Sequence, residues 1–231
     1  MRRPHTVALI SAFGIIVTLS SSGCTDTGSV PGPTENLTLS ISSSHTHSSL
    51  ASPGHQTLAI SSAKVLIRDV RFKEEVSGDG TDVKSSSFVV FFAVDGSVTP
   101  VARARIRPGI YEILQFTLHK PEDQESLGDP DFGNGPSDDQ RYSVIVTGFY
   151  HETPFVYRSQ VNARQDLRLP LPIEVPSEGY VNVTLKIDPY AWFTVGELVL
   201  DPFIQGKEID DRIVSSFANA FRDNDGNGEP D

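Results

Sequence analysis

The 231-residue chain has one cysteine (Cys24), one tryptophan (Trp192) and one methionine. A lone cysteine excludes an intramolecular disulfide, so any fold must hold through its core. Basic residues are also scarce: 19 Lys and Arg stand against 30 Asp and Glu, a formal charge of −11 at pH 7. That balance argues against nucleic acid, whose binding needs a basic patch that releases counterions. It argues equally against electrostatic docking on anionic lipid. The G-x-S-x-G elbow, the H-E-x-x-H zinc helix and the P-loop are all missing, which removes the enzyme classes they mark. No strand–helix–strand rhythm runs through the chain, so a nucleotide-binding parallel sheet is not expected.

The mainly apolar, uncharged run Val7 to Leu19 falls short of the roughly 20 residues a helix needs to cross a bilayer. Arg2 and Arg3 precede it, the small residues Ser20 to Gly23 follow, and then comes Cys24. A positive start, a short apolar stretch and a small-residue exit describe a secretory signal over residues 1–23. The small residues before Cys24 resemble the lipobox of bacterial lipoproteins, with Ser21 where that motif usually carries Leu. The resemblance implies a diacylglyceryl thioether on Cys24, cleavage before it and acylation of the new amino group. Two or three acyl chains hold a protein stably at a membrane. Thr25 stands where some lipoproteins carry an inner-membrane retention Asp, so the resemblance implies the cell envelope, and its outer membrane in particular.

Residues 24–36, rich in Gly, Pro, Thr and Ser, read as a lipid-anchored flexible tether spanning roughly 18 Å root-mean-square. A β-rich body is expected over residues 37–205, with a Ser/His-rich loop at 42–56. Leu37, Leu39 and Ile41 alternate with polar residues, as do Leu114, Phe116 and Leu118, and Val181, Val183, Leu185 and Ile187. Ala63, Val65 and Ile67 alternate too, but Val70 and Phe72 restart on the opposite parity, which predicts a bulge near Arg68–Asp69. The unbroken apolar run Ser87 to Val94 predicts a strand buried on both faces. Many short strands separated by Gly, Pro, Asp and Asn predict a mainly β protein, an antiparallel β-sandwich. One C-terminal amphipathic helix is expected within 206–222, from Ile209, Ile213, Phe217 and Phe221 recurring every four residues.

The turn Arg107-Pro108-Gly109-Ile110-Tyr111 leads straight into a strand. That entry resembles the prealbumin-like and carboxypeptidase-regulatory-like β-sandwich domains of bacterial surface lipoproteins, over about residues 57 to 190. The resemblance implies a module for display, adhesion or ligand binding, and it brings no catalytic residues.

Residues 223–231 read either as an acidic tail or as a partial calcium loop. Asp223-Asn224-Asp225-Gly226-Asn227-Gly228 matches the opening of an EF-hand loop, in which alternate side chains present oxygens to a hard cation and glycine makes the turn. Asp223, Asp225 and Asn227 are therefore candidate calcium ligands, and calcium is the one cofactor the sequence raises. The twelfth position would be 234, so the bidentate Glu is not in the sequence and a complete EF-hand is excluded. Asp129, Asp131, Asn134, Asp138 and Asp139 form a second set of candidate oxygen ligands in the irregular stretch 128–139. His45, His47 and His55 are weaker metal candidates in a Ser-rich segment. His119 and His151 read as surface or strand-edge residues.

The expected function is a non-enzymatic envelope lipoprotein, a displayed binding or structural module whose ligand is an envelope protein or a glycan. The alternative is an envelope hydrolase acting on glycans through paired carboxylates, with Tyr190, Trp192 and Phe193 as the sugar platform.

Overall fold

The computed structural model describes residues 35–43, 50–51, 57–75, 78–92, 96–123, 125–133, 140–217 and 219–231. Cys24, the signal segment and His45, His47 and His55 lie outside the described residues, as do Asn134, Asp138 and Asp139. The strands are β1 (Leu37–Ser43), β2 (Leu50–Ala51), β3 (Thr57–Lys73), β4 (Gly80–Lys84), β5 (Phe88–Phe92), β6 (Thr99–Ala104) and β7 (Gly109–Leu118). They continue as β8 (Val144–Tyr150), β9 (Thr153–Ser159), β10 (Ala163–Val175), β11 (Val181–Ile187), β12 (Thr194–Val195), β13 (Leu198–Val199) and β14 (Asn219–Arg222). The helix α1 spans Gly206–Ser215.

Two sheets make a sandwich, as the alternation predicts. The smaller has the order β14-β11-β1-β6, and the larger is built on β10-β7-β3-β8-β9. Leu37, Leu39 and Ile41 of β1, and Val181, Val183, Leu185 and Ile187 of β11, share one buried cluster with the inward residues of the larger sheet. Burial of these aliphatic side chains supplies the main driving force, about 1.5–3 kcal/mol for each fully buried one. One pairing departs from an all-antiparallel sandwich: β1 and β11 are parallel, Leu37 opposite Val181 through Ser43 opposite Ile187.

Strand β3 is the spine of the larger sheet. Ala63 is paired with both Val146 of β8 and Phe92 of β5. Phe72 is paired with both Leu114 of β7 and Thr81 of β4. One edge of β3 thus passes from β8 to β7 at Leu66, just ahead of the bulge anticipated from the parity shift. The β3–β7 register slips between Arg68 and Arg71, and Asp69 takes a left-handed φ of 55°. Strand β5 is less buried than its sequence predicts. Val90 is buried but Phe91 is 55% exposed, although Val89 on the same face packs against the outer cluster of Leu66, Phe132, Tyr142 and Ile145.

The helix is shorter than its periodicity suggests. Ile209 and Ile213 are buried as expected, but α1 stops at Ser215. The Ser216 hydroxyl donates to the Ile213 carbonyl at 2.9 Å and accepts from Trp192 Nε1 at 2.6 Å, which fixes the exit. Phe217 packs beyond the helix, edge-on to Phe116 with ring centres 5.5 Å apart. Residues 219–222, expected as the last helical turn, instead form β14 against β11. In so short a segment, Phe217 and Phe221 fit a four-residue spacing while Ala220 meets the needs of a strand, and the free edge of β11 decides.

Candidate functional site

Strand β11 shows where the chain departs from an ordinary sandwich surface. Asn182 and Thr184 point away from the core and should face water, yet both are buried. Residues 223–231 fold back across them. Asn182 Nδ2 donates to the Asp223 carbonyl at 2.6 Å, and the Asn224 side-chain oxygen accepts from the Asn182 backbone N–H at 3.0 Å. Lys186 donates to the Gly228 carbonyl and pairs with Glu229 at 2.8 Å. The segment is therefore a docked loop and not a solvated tail.

Asp223 is its centre. The carboxylate is fully buried, and its charge is met by neutral donors: the Thr184 hydroxyl at 2.7 Å and the backbone N–H groups of Asn227 and Gly228 at 2.9 and 3.1 Å. Gly226 and Gly228 take φ values of 68° and 80°, which let the backbone turn those N–H groups inward. Asp225 accepts from the Asn227 N–H at 3.2 Å and from Asn227 Nδ2 at 2.9 Å. Asn227 Oδ1 accepts from the Glu229 N–H at 2.7 Å, so this predicted ligand closes the turn. The group that joins Asp223 and Asp225 is Asp231: all three place a carboxylate oxygen within 4.8 Å of one another. Asp231 was legible in the sequence, because it holds loop position nine, which in EF-hands often ligates through water. Its own partners are the Asn224 N–H at 3.0 Å and Arg222 Nε at 3.3 Å.

The loop also forms one wall of an open cleft of about 480 Å³. Thr38 and Ser40 of β1 and Asn182 of β11 make the floor, Pro100 and Arg103 of β6 the opposite wall, and Asn224 to Gly226 the loop side. Glu35 and Tyr180 stand together at one end, since each lies just before the start of a strand in the parallel pair β1–β11. Neither Tyr180 nor Arg103 attracted attention in the sequence. Only the parallel pairing and the β1–β6 register bring them to one face.

The second acidic stretch is organised differently. Phe132 is fully buried with Leu66, Tyr142 and Ile145 on the outer face of the larger sheet, and it pins the short 3-10 turn Pro130–Phe132. Asp129 caps that turn by accepting from the Asp131 N–H at 2.9 Å. Lys64, on the same outward parity of β3 as Leu66, then reaches both acids, Asp129 at 2.6 Å and Asp131 at 2.8 Å. Asp129 is partly buried, which works against ionisation. The Lys64 ammonium and the Asp131 N–H outweigh this and hold its carboxyl below the ordinary range. Here a cation is already supplied by the chain.

His119 is not the surface residue its position near a strand end suggested. It is 1% exposed, and its Nε2 lies 2.7 Å from Glu125. Burial opposes ionisation of Glu125, but hydrogen bonds from Ser87, the Glu122 N–H and His119 draw its carboxyl down to about 2. His151 sits at the tip of the β8–β9 hairpin with φ 47°, beside Glu152 at 64°. Tyr190, Trp192 and Phe193 are 3%, 0% and 0% exposed, so they build core and offer no platform to a sugar.

Fold and cleft together define a two-sheet β-sandwich with a loop-walled groove on its smaller sheet. No protein-family model matches the chain, and no curated protein is similar to it. Among solved structures, MbnP from Methylosinus trichosporium aligns at 10% identity over 66% of this chain and 74% of that one, with a TM-score of 0.36.

Proposed function

We propose that the chain is a lipid-anchored, non-enzymatic envelope lipoprotein of the outer membrane whose β-sandwich is a binding module, with the loop-walled cleft as its ligand site. The anchoring part rests on the residues around Cys24. The binding part rests on one observation: a cleft of ligand size lies on the outer face of the smaller sheet, and typical small-ligand sites hold about 300–1,000 Å³. Its polar groups are arranged for contact. The one hydroxyl on its floor with a close side-chain partner, Ser40, donates to the Asn182 amide at 2.8 Å, not to a base. The glycan-hydrolase alternative loses its aromatic platform, since Tyr190, Trp192 and Phe193 are core residues. The test is photocrosslinking in cells, with a benzoylphenylalanine at Val98 in the cleft and a control at exposed Ile110. An adduct with an envelope component from Val98 alone is expected, and Cys24→Ser should move the protein out of the membrane fraction. No adduct, or equal adducts from both positions, overturns the binding reading. A Cys24→Ser variant that stays membrane-bound and matures to the same size overturns the anchor.

A second reading, that the Asp223–Asp231 loop takes calcium, is favoured by a buried Asp223 carboxylate that only neutral donors meet. Buried charges are otherwise paired or bound to metal. Carboxylate and backbone oxygens suit a hard cation, with affinity on the order of 10⁻⁴–10⁻³ M as in extracellular modules. Thermal melting with millimolar calcium against chelator tests it, and an unchanged midpoint sinks it.

A further inference from the structure

We infer that the cleft binds a neutral oligosaccharide, an inference that rests on the cleft being the binding site proposed above. Four side chains lining it, Glu35, Thr38, Arg103 and Tyr180, make no hydrogen bond or ion pair with any described residue. Arg107, Arg164, Arg168 and Arg222, by contrast, each hold an acid. Unused donors and acceptors gathered around one concavity are capacity left for a ligand.

Their chemistry narrows the ligand. Glu35 and Asp225 accept, Arg103 donates, and the Thr38 hydroxyl and Tyr180 phenol do both, so the site suits groups that donate and accept at the same atom, as sugar hydroxyls do. Two carboxylates against one guanidinium disfavour an anion. The aliphatic groups in the lining are Val98 and Pro100. Tyr180, 60% exposed at the end of the groove, offers an aromatic face on which a pyranose ring can stack. The floor is rigid, because Ser40 and Asn182 are fixed by the bonds under the loop.

The test is isothermal titration of the full chain in detergent with chitotetraose, cellotetraose and maltotetraose. Saturable binding of at least one is expected. Tyr180→Ala and Arg103→Ala should each weaken it about tenfold, the size of one lost stacking or charged hydrogen-bond contact. Tyr180→Phe should retain most of it. All three variants should melt like the unsubstituted protein, since the altered groups touch no partner. Absence of binding to all three sugars by folded protein overturns the inference, as does binding that both alanine variants leave intact. A Val98 crosslink to an envelope protein alongside silent titrations would keep the binding module and discard the sugar. Silence in both would discard the two together.

Discussion

The two acidic stretches, Gly128 to Asp139 and Asp223 to Asp231, look alike as sequence, yet the fold treats them in opposite ways. In the first, Lys64 bridges Asp129 and Asp131 from the adjoining strand, so the carboxylates are neutralised by the chain. In the second, the buried carboxylate of Asp223 meets a hydroxyl and two backbone amides, while the two cations that reach the loop, Lys186 and Arg222, pair with Glu229 and Asp231. A run of acids therefore says little about metal binding until the residue facing it across the sheet is known. Parity of a lysine on β3 decides one case, and the threonine of β11 the other.

That contrast can be broken by substitution. The largest effect is expected from Asp223→Ala, which strips Thr184 and two buried N–H groups of their acceptor at once. Loss of about 3 kcal/mol should appear as a lower denaturation midpoint. A change below about 1 kcal/mol would mean that the loop is peripheral to stability. Next, calcium at about a hundred times its dissociation constant should add about 2.7 kcal/mol through the Asp223–Asp231 loop. The gain should vanish in Asp225→Ala/Asp231→Ala and persist in Asp129→Ala/Asp131→Ala. The reverse pattern would exchange the roles of the two loops.

Smaller effects sharpen the same comparison. Lys64→Met should cost about 1 kcal/mol or less, as partly exposed ion pairs do, measured by urea denaturation at neutral pH. Asp129 ionises more easily folded than unfolded, so its contribution is present above its ordinary value of 3.8 and fades as pH falls through the lower folded value. Lys64, raised above 10.5, contributes fully below that value and loses its contribution as pH climbs past it. Melting midpoints should therefore drop at both ends of the pH scale, less steeply in Lys64→Met. Glu125 adds to the acid limb between 4.5 and about 2, a component that Glu125→Gln should remove. Least of all, Glu152→Gly should raise stability by about 0.5–1 kcal/mol. Position 152 holds φ 64°, where glycine is at ease, just as Gly226 and Gly228 are in the C-terminal loop.

The sandwich was legible wherever a strand has one wet and one dry face, as with Leu114, Phe116 and Leu118, because period-two alternation records that asymmetry. The bulge at Arg68–Asp69 was legible for the same reason. What periodicity could not show is burial of the outer face. Asn182 and Thr184 look solvent-facing because the segment that covers them lies some forty residues further along the chain. The composition that marks residues 24–36 as a tether does not reveal the role of its last residue. Asn36 is buried and clamps two connections, its amide bonding the Ile106 N–H and carbonyl and the Pro176 carbonyl. Of the proposed site, Asp223 and Asp225 were visible as a motif. Arg103, Tyr180 and Glu35 were not, because a cleft made from separate strands leaves no local spacing to read.

The parallel pairing of β1 with β11 also bears on how the molecule is made. Ser40 and Asn182 meet across 142 positions of sequence, so the smaller sheet cannot close until most of the chain is available. Pairings of such separation must overcome loop-closure entropy before any contact rewards them, and folding is correspondingly slow. The larger sheet, with hairpins such as β8–β9, can form earlier and wait with one face uncovered. A strand near the start of the chain would thus be held open for its late partner.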